Sequence, residues 1–237
     1  MKTLLLTYAL LMTFSWAQAK AHKSASRIEG SACIECSSST NRTQQQLREL
    51  RDTVTADASV EDIFKINERM DFADKCENFA DGDNYGRWGK IIIDEMHRSR
   101  YEELYKGAAD LTAVCPAYPT LNDNSKELVW VMVLNAMAHL ESSCDKTERA
   151  QGPNGRLVGL LQLHDGREQV YAKNCRRGDG KTAEGTFRCG LSMLNQQLAK
   201  RDSLFSRNSY WDVLRPQAKS QKFKKVKAAI SRLSVCK

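Results

Sequence analysis

From Ser125 to Leu140 the chain reads SKELVWVMVLNAMAHL. Leu128, Val129, Val131, Met132, Leu134, Ala136, Met137 and Leu140 would wrap most of the circumference of a helix. A helix that is apolar nearly all round has no face to offer to water, so it must run through a domain with other elements packed about it. About 16 residues at 1.5 Å each give roughly 24 Å, enough to cross a small domain. Ser125 is the expected N-cap. The helix ends on an acid, Glu141. A loop rich in Gly, Pro and Asn follows, and then the apolar run LVGLLQL, strand-like or turn-like, carries Gln162.

A carboxyl group in that place has two reasons to keep its proton. Burial disfavours the charged form, and the C-terminal end of a helix dipole repels negative charge. A carboxylic acid still protonated near neutral pH is what general acid catalysis requires. A fully exposed helix-end glutamate would lack the first of these causes, so burial decides what Glu141 is.

The other segments surround this one. Ser59 to Phe72 reads as a helix capped by Ser59, with Asp62 three residues on and Val60, Ile63, Phe64 and Ile66 at roughly helical spacing. Trp88 or Lys90 through Tyr105 is a helix with its charges on one side. Thr186 to Lys200 is a stronger one, with Leu191, Leu194 and Leu198 on one face, and Lys222 to Leu233 is basic and amphipathic. Asp81 to Gly89 is a turn, Arg167 to Lys173 a short helix, and Tyr210 to Leu214 an aromatic segment stopped by Pro216. There is no repeat and no strand–helix alternation, so the fold class is mainly α.

The first 19 residues have the pattern of a signal peptide: Lys2, the apolar run Thr3 to Trp16, and the small-x-small site Ala17-Gln18-Ala19. Residues 20–58 read as a loosely ordered, cysteine-containing leader with a helical stretch, and 59–237 as the helical domain. A periplasmic or secreted protein is expected, with no stable membrane insertion once the signal is removed. All eight cysteines lie beyond residue 19. An even count in an exported chain implies disulfides. The expected pair is Cys175 with Cys189, closing the loop RRGDGKTAEGTFR, which has little apolar content of its own. Cys33-x-x-Cys36 lacks the second pair that a zinc site needs. No metal or cofactor is expected.

The formal net charge of +7 and pI near 9.0 favour an anionic partner: nucleic acid, acidic lipid or a bacterial wall. Export argues against nucleic acid. Cys144 with His164 suggests a cysteine nucleophile, but the even cysteine count argues that Cys144 is oxidised. His97, His139 and His164 have no metal-binding spacing.

Glu141-Ser142, the loop, and Gly159-Leu160-Leu161-Gln162-Leu163 together resemble the goose-type lysozyme and lytic transglycosylase superfamily. There a Glu-Ser pair ends a buried helix and a Gly-Leu-Met-Gln-Leu-like run follows. Phe187 to Leu194 is similar to that family's next helix, so the resemblance spans Ser125 to Leu214. Leu161 stands where methionine is common, Thr186-Phe187 replaces an Asn-Ile pair, the loop after Glu141 is longer, and no Tyr-Asn-Ala-Gly motif lies near Tyr210.

The resemblance implies a lysozyme-like fold and cleavage of the β-1,4 bond between the amino sugars of peptidoglycan. Glu141 would be general acid and then base, with Ser142, Gln162 and Tyr210 binding substrate, and the protein would act as a monomer without cofactor. A hydrolase commonly adds a second acid, for which Asp145, Glu148 and Asp165 are candidates. The cysteine-rich character is similar to the lysozyme-like proteins of predatory bacteria that act on deacetylated peptidoglycan. An acidic patch of Asp145, Glu148 and Asp165 would attract the free amines of such a substrate. The competing class is a wall-binding protein that keeps the fold without turnover.

Overall fold

A computed structural model describes residues 59–99 and 101–237. The signal segment, the 20–58 leader and Cys33-x-x-Cys36 lie outside the described residues. The order begins with helix α1 (Glu61–Arg69), a 3-10 turn (Asp74–Asn78), a minimal hairpin of β1 (Ala80–Asp81) and β2 (Asn84–Tyr85), and α2 (Arg87–Ser99). Short helices α3 (Glu102–Lys106) and α4 (Ala109–Thr112) lead to the long helix α5 (Asp123–Ser142). Next comes an antiparallel three-stranded sheet of β3 (Arg149–Gly152), β4 (Gly155–Val158) and β5 (Leu163–His164), with β4 in the middle. Helices α6 (Ala183–Arg201) and α7 (Phe223–Ser231) complete the order. The described residues are mainly helical, with a small sheet and internal disulfides, as the expected fold class requires.

Helix α5 is the axis. Its residues from Leu128 to Ala138 are all buried. Helices α2, α3 and α7 pack against it, and α6 packs on α2 and α3. Two polar side chains of the buried helix donate to partners within the core, as burial away from water favours. Trp130 Nε1 donates to the Leu104 carbonyl at 3.0 Å and to the Tyr118 hydroxyl at 2.8 Å. The Asn135 amide donates to Asn67 Oδ1 at 2.5 Å. Phe79 meets Trp88 and Phe187 edge-on at 5.4 and 5.6 Å, joining the N-terminal elements to α6.

Helix ends differ from the sequence reading. Helix α5 is capped by Asn122, whose side chain accepts from the Ser125 backbone N–H at 2.8 Å, while Ser125 itself is buried in the first turn. Both residue types make good caps, and the extended backbone of Asn122 settles which one is outside the helix. Ser59 does not cap α1, which starts after Val60 with no side-chain cap. The helix expected from Trp88 or Lys90 through Tyr105 is two helices, Arg87–Ser99 and Glu102–Lys106. Helix α6 begins three residues early because Thr182 Oγ1 accepts from the Gly185 N–H at 3.1 Å. The segment after Glu141, expected as a loop, contains the β3–β4 hairpin, in register from Arg149 against Val158 to Gly152 against Gly155.

Three disulfides join the described residues: Cys76–Cys144, Cys115–Cys236 and Cys175–Cys189. The first ties the chain just beyond α5 to the 3-10 turn before β1. The second anchors the C-terminus behind α4. The third closes the charged loop ahead of α6. Bonds of this kind fit an oxidising compartment, and no described helix is long and apolar enough to cross a membrane.

Candidate active site

Helix α5 stops where its last turn reaches the surface. Ser143 takes a left-handed conformation (φ 51°); its N–H closes on the His139 carbonyl at 2.9 Å, and the Cys144 N–H closes on the Ala138 carbonyl at 3.1 Å. Glu141, two residues earlier, is partly buried between two depressions. One, about 560 Å³, is bordered by Asp74, Lys75, Glu148 and Ala150. The other, about 460 Å³, is bordered by Leu157, His164, Tyr171, Tyr210, Asp212 and Arg215. Glu141 and Gln162 line both, so they mark the junction of a continuous groove.

Burial pushes the Glu141 carboxyl up to about 7. Lys222 pulls it down, Asp212 pushes it up, and Arg215 pulls it down, in decreasing order of effect. The dominant cause is desolvation, the one named from the apolar helix. At neutral pH such a group is poised to give a proton and take it back.

The segment facing Glu141 is held rigidly. Ser142 Oγ lies 3.0 Å from both the Ala138 and the Leu160 carbonyl. Expected to contact substrate, Ser142 is buried and pins the end of α5 to the segment Gly159 to Leu163. Gly159 has φ +76°, and a Cβ there would stand 1.9 Å from the Gly180 carbonyl oxygen, so only glycine fits. Gln162 is 3% exposed and sits at φ +47°, uncommon for a residue with a side chain. Its Nε2 donates to the Gly159 carbonyl at 2.9 Å and the Glu148 carbonyl at 3.3 Å. Its Oε1 has no partner among the described residues.

Tyr210 borders the second depression and fixes Gln162 from behind. Its hydroxyl accepts from the His164 N–H at 3.0 Å and donates to the Gln162 carbonyl at 3.1 Å. The hydroxyls of Tyr171 and Tyr210 also stand 2.7 and 2.9 Å from His164 Nδ1. Burial, then Arg167, lowers the pKa of His164, which favours its neutral ring between the two hydroxyls. Trp211 is core instead: it is 2% exposed and donates to the Leu161 carbonyl at 2.8 Å.

The three candidate second acids are separated by the structure. Asp145 pairs with Lys75 at 2.5 Å, and that contact holds its carboxyl well below the usual range. Asp165 pairs with Arg156, and with Lys181 at 3.1 Å, and lies outside both depressions. The patch read from sequence is therefore not formed by these three together. Glu148 alone of them borders the groove without an ion pair to a described residue. Asp74 and Asp212 border it too, and sequence reading missed both. Asp212 stands two residues after Tyr210, in the segment singled out for its aromatics. Cys144 is bonded to Cys76, which removes the cysteine nucleophile. Among the described residues no cluster of His, Cys, Asp or Glu is arranged to hold a metal ion.

The fold has solved counterparts. They are structures of DslA from Bdellovibrio, a lysozyme-like protein. The wild-type form aligns with a TM-score of 0.56 at 21% identity, covering 67% of this chain and 93% of that one. Two glutamate-to-glutamine mutants of the same protein align with TM-scores of 0.56 and 0.55 at 21% and 22% identity and the same coverage. No family model matches the chain, and no curated protein matches it. At this identity the likeness speaks for the fold.

Proposed function

We propose that the protein is a peptidoglycan glycosidase that cuts the β-1,4 bond between amino sugars, with Glu141 as general acid and then base. The observation that carries this reading is a carboxyl raised to about 7 at the junction of a two-lobed groove. A sugar in each lobe puts the glycosidic oxygen between them, beside Glu141. The carboxylic acid gives its proton to that oxygen as the C1–O bond breaks. The carboxylate then takes a proton from the attacking oxygen. If that oxygen is water, the product has a reducing end; if it is the sugar's own C6 hydroxyl, the product is a 1,6-anhydro sugar.

The charge around the groove favours a deacetylated substrate. The first lobe carries Asp74, Asp145 and Glu148 against Lys75, in addition to Glu141. A surplus of carboxylates attracts the ammonium that a deacetylated amino sugar carries. Such a sugar also lacks the acetamido oxygen that otherwise assists at C1, leaving Glu148 or Asp212 to stabilise the developing positive charge. The test is to digest matched walls, with and without prior deacetylation, and weigh the soluble products. Release of disaccharide-containing fragments, faster from deacetylated wall, supports the reading. Wall binding with no fragment released identifies a non-catalytic wall-binding protein instead.

A further inference from the structure

The groove does not end at its first lobe. Lys75 and Asp145, which border that lobe, also border a third depression of about 520 Å³. Its floor includes Trp88 and the disulfide-bonded Cys144, and one wall is the N-terminal end of α6 from Thr182. Its charge is opposite to that of its neighbour. Lys75, Arg87, Lys146 and Lys181 line it against Asp145 and Glu184 only. Asp145 is taken by Lys75, Lys181 shares Asp165 with Arg156 from outside the depression, and Glu184 is 3.6 Å from Arg87, a long contact between exposed side chains. Lys146 is exposed and pairs with no described residue. The positive end of a 19-residue helix adds to this surplus.

Resting on the glycosidase reading, we infer that this third depression is a subsite for the carboxylates of the peptide stem attached to the glycan. Of the parts of a deacetylated glycan strand, the sugars are neutral or cationic, and the stem brings free carboxylates. A strand running along the groove would place its amines over the acidic lobe beside Glu141. A stem from a neighbouring sugar would fall over the basic basin. The reversal of charge along one continuous groove thus sorts the two ionic features of a single substrate, and it sets register along the strand as well as adding affinity.

The test compares deacetylated glycan chains bearing peptide stems with the same chains after an amidase has removed the stems and the sugar carboxylate freed by each cut has been capped as a simple amide. Binding is measured with the inactive Glu141→Gln variant and turnover with the active protein. The stem-bearing chains should bind more tightly and show the lower KM. Lys146→Gln with Arg87→Gln should raise KM for stem-bearing chains about tenfold, as expected for two charge-assisted contacts, and leave the stem-free chains unchanged. Added salt should erode the difference. Equal binding of both chains by the wild-type groove, or a double variant that weakens both equally, overturns the stem subsite and leaves the glycosidase reading standing. Failure to bind either chain overturns both.

Discussion

Lys222 reaches from the segment before α7 to donate its Nζ hydrogen to the Leu140 carbonyl at 2.9 Å, one residue before the acid. One ammonium therefore satisfies an orphan carbonyl at the C-terminus of α5 and lowers the pKa of Glu141. Asp212, across the groove, acts in the opposite sense. A general acid works while protonated, so activity should fall as pH rises through about 7. Lys222→Met should move that basic limb to higher pH, and Asp212→Asn should move it lower. The pH profiles of kcat/KM for the three proteins check this; limbs that coincide would show that neither charge reaches the acid.

The same shift has a consequence for stability. The folded-state pKa of Glu141 lies above its ordinary value of 4.5, so the folded state holds the proton more tightly than the unfolded chain. Below pH 4.5 both states are protonated and folding suffers no penalty from this group. Between 4.5 and about 7 the penalty grows, and above that range it is constant. Glu141→Gln, which cannot ionise, should match wild type in stability at pH 4 and exceed it by about 2–3 kcal/mol at pH 8. Urea denaturation at the two pH values reads the difference.

Gly159→Ala should destabilise the fold by about 2 kcal/mol or more, because the new Cβ meets a backbone carbonyl and the backbone is left-handed. The displaced segment carries Gln162, so activity should fall further than stability accounts for. Thermal unfolding and turnover, measured on the same preparation below its unfolding transition, separate the two effects.

The Cys76–Cys144 bond spans 68 residues and begins three residues after the acid. Replacing both cysteines by serine should lower stability by about 2–4 kcal/mol. It should also loosen the first lobe, so KM should rise. Removing Cys115–Cys236, which lies outside both lobes of the groove, should lower stability with KM unchanged.

What could be read in the sequence was what depends on local pattern. The apolar circumference of α5 required a buried helix, and its last acid required a perturbed carboxyl. The charged loop between Cys175 and Cys189 has so few apolar residues that a covalent staple was the natural way to hold it, and the structure has that bond. The substrate-facing charges were harder to read, because they depend on which side chains meet across the fold. Asp145 and Asp165 looked like groove acids until Lys75, Arg156 and Lys181 arrived from elsewhere in the chain. Lys222 gave no local sign that it would touch α5, since it lies 82 residues from Leu140. Caps misled where two good capping residues stood three apart, as Asn122 and Ser125 do.

The central claim is that a proton on Glu141 cleaves the glycan. Glu141→Gln keeps the shape and removes the titrating group. The most direct measurement is the rate at which folded wild-type and Glu141→Gln proteins release soluble fragments from purified deacetylated wall, with wall binding measured in parallel. Loss of at least about a thousandfold in rate with binding retained is the expected result, since general acid catalysis and the charge it controls are both removed. A folded Glu141→Gln protein that solubilises the wall at the wild-type rate would contradict the account.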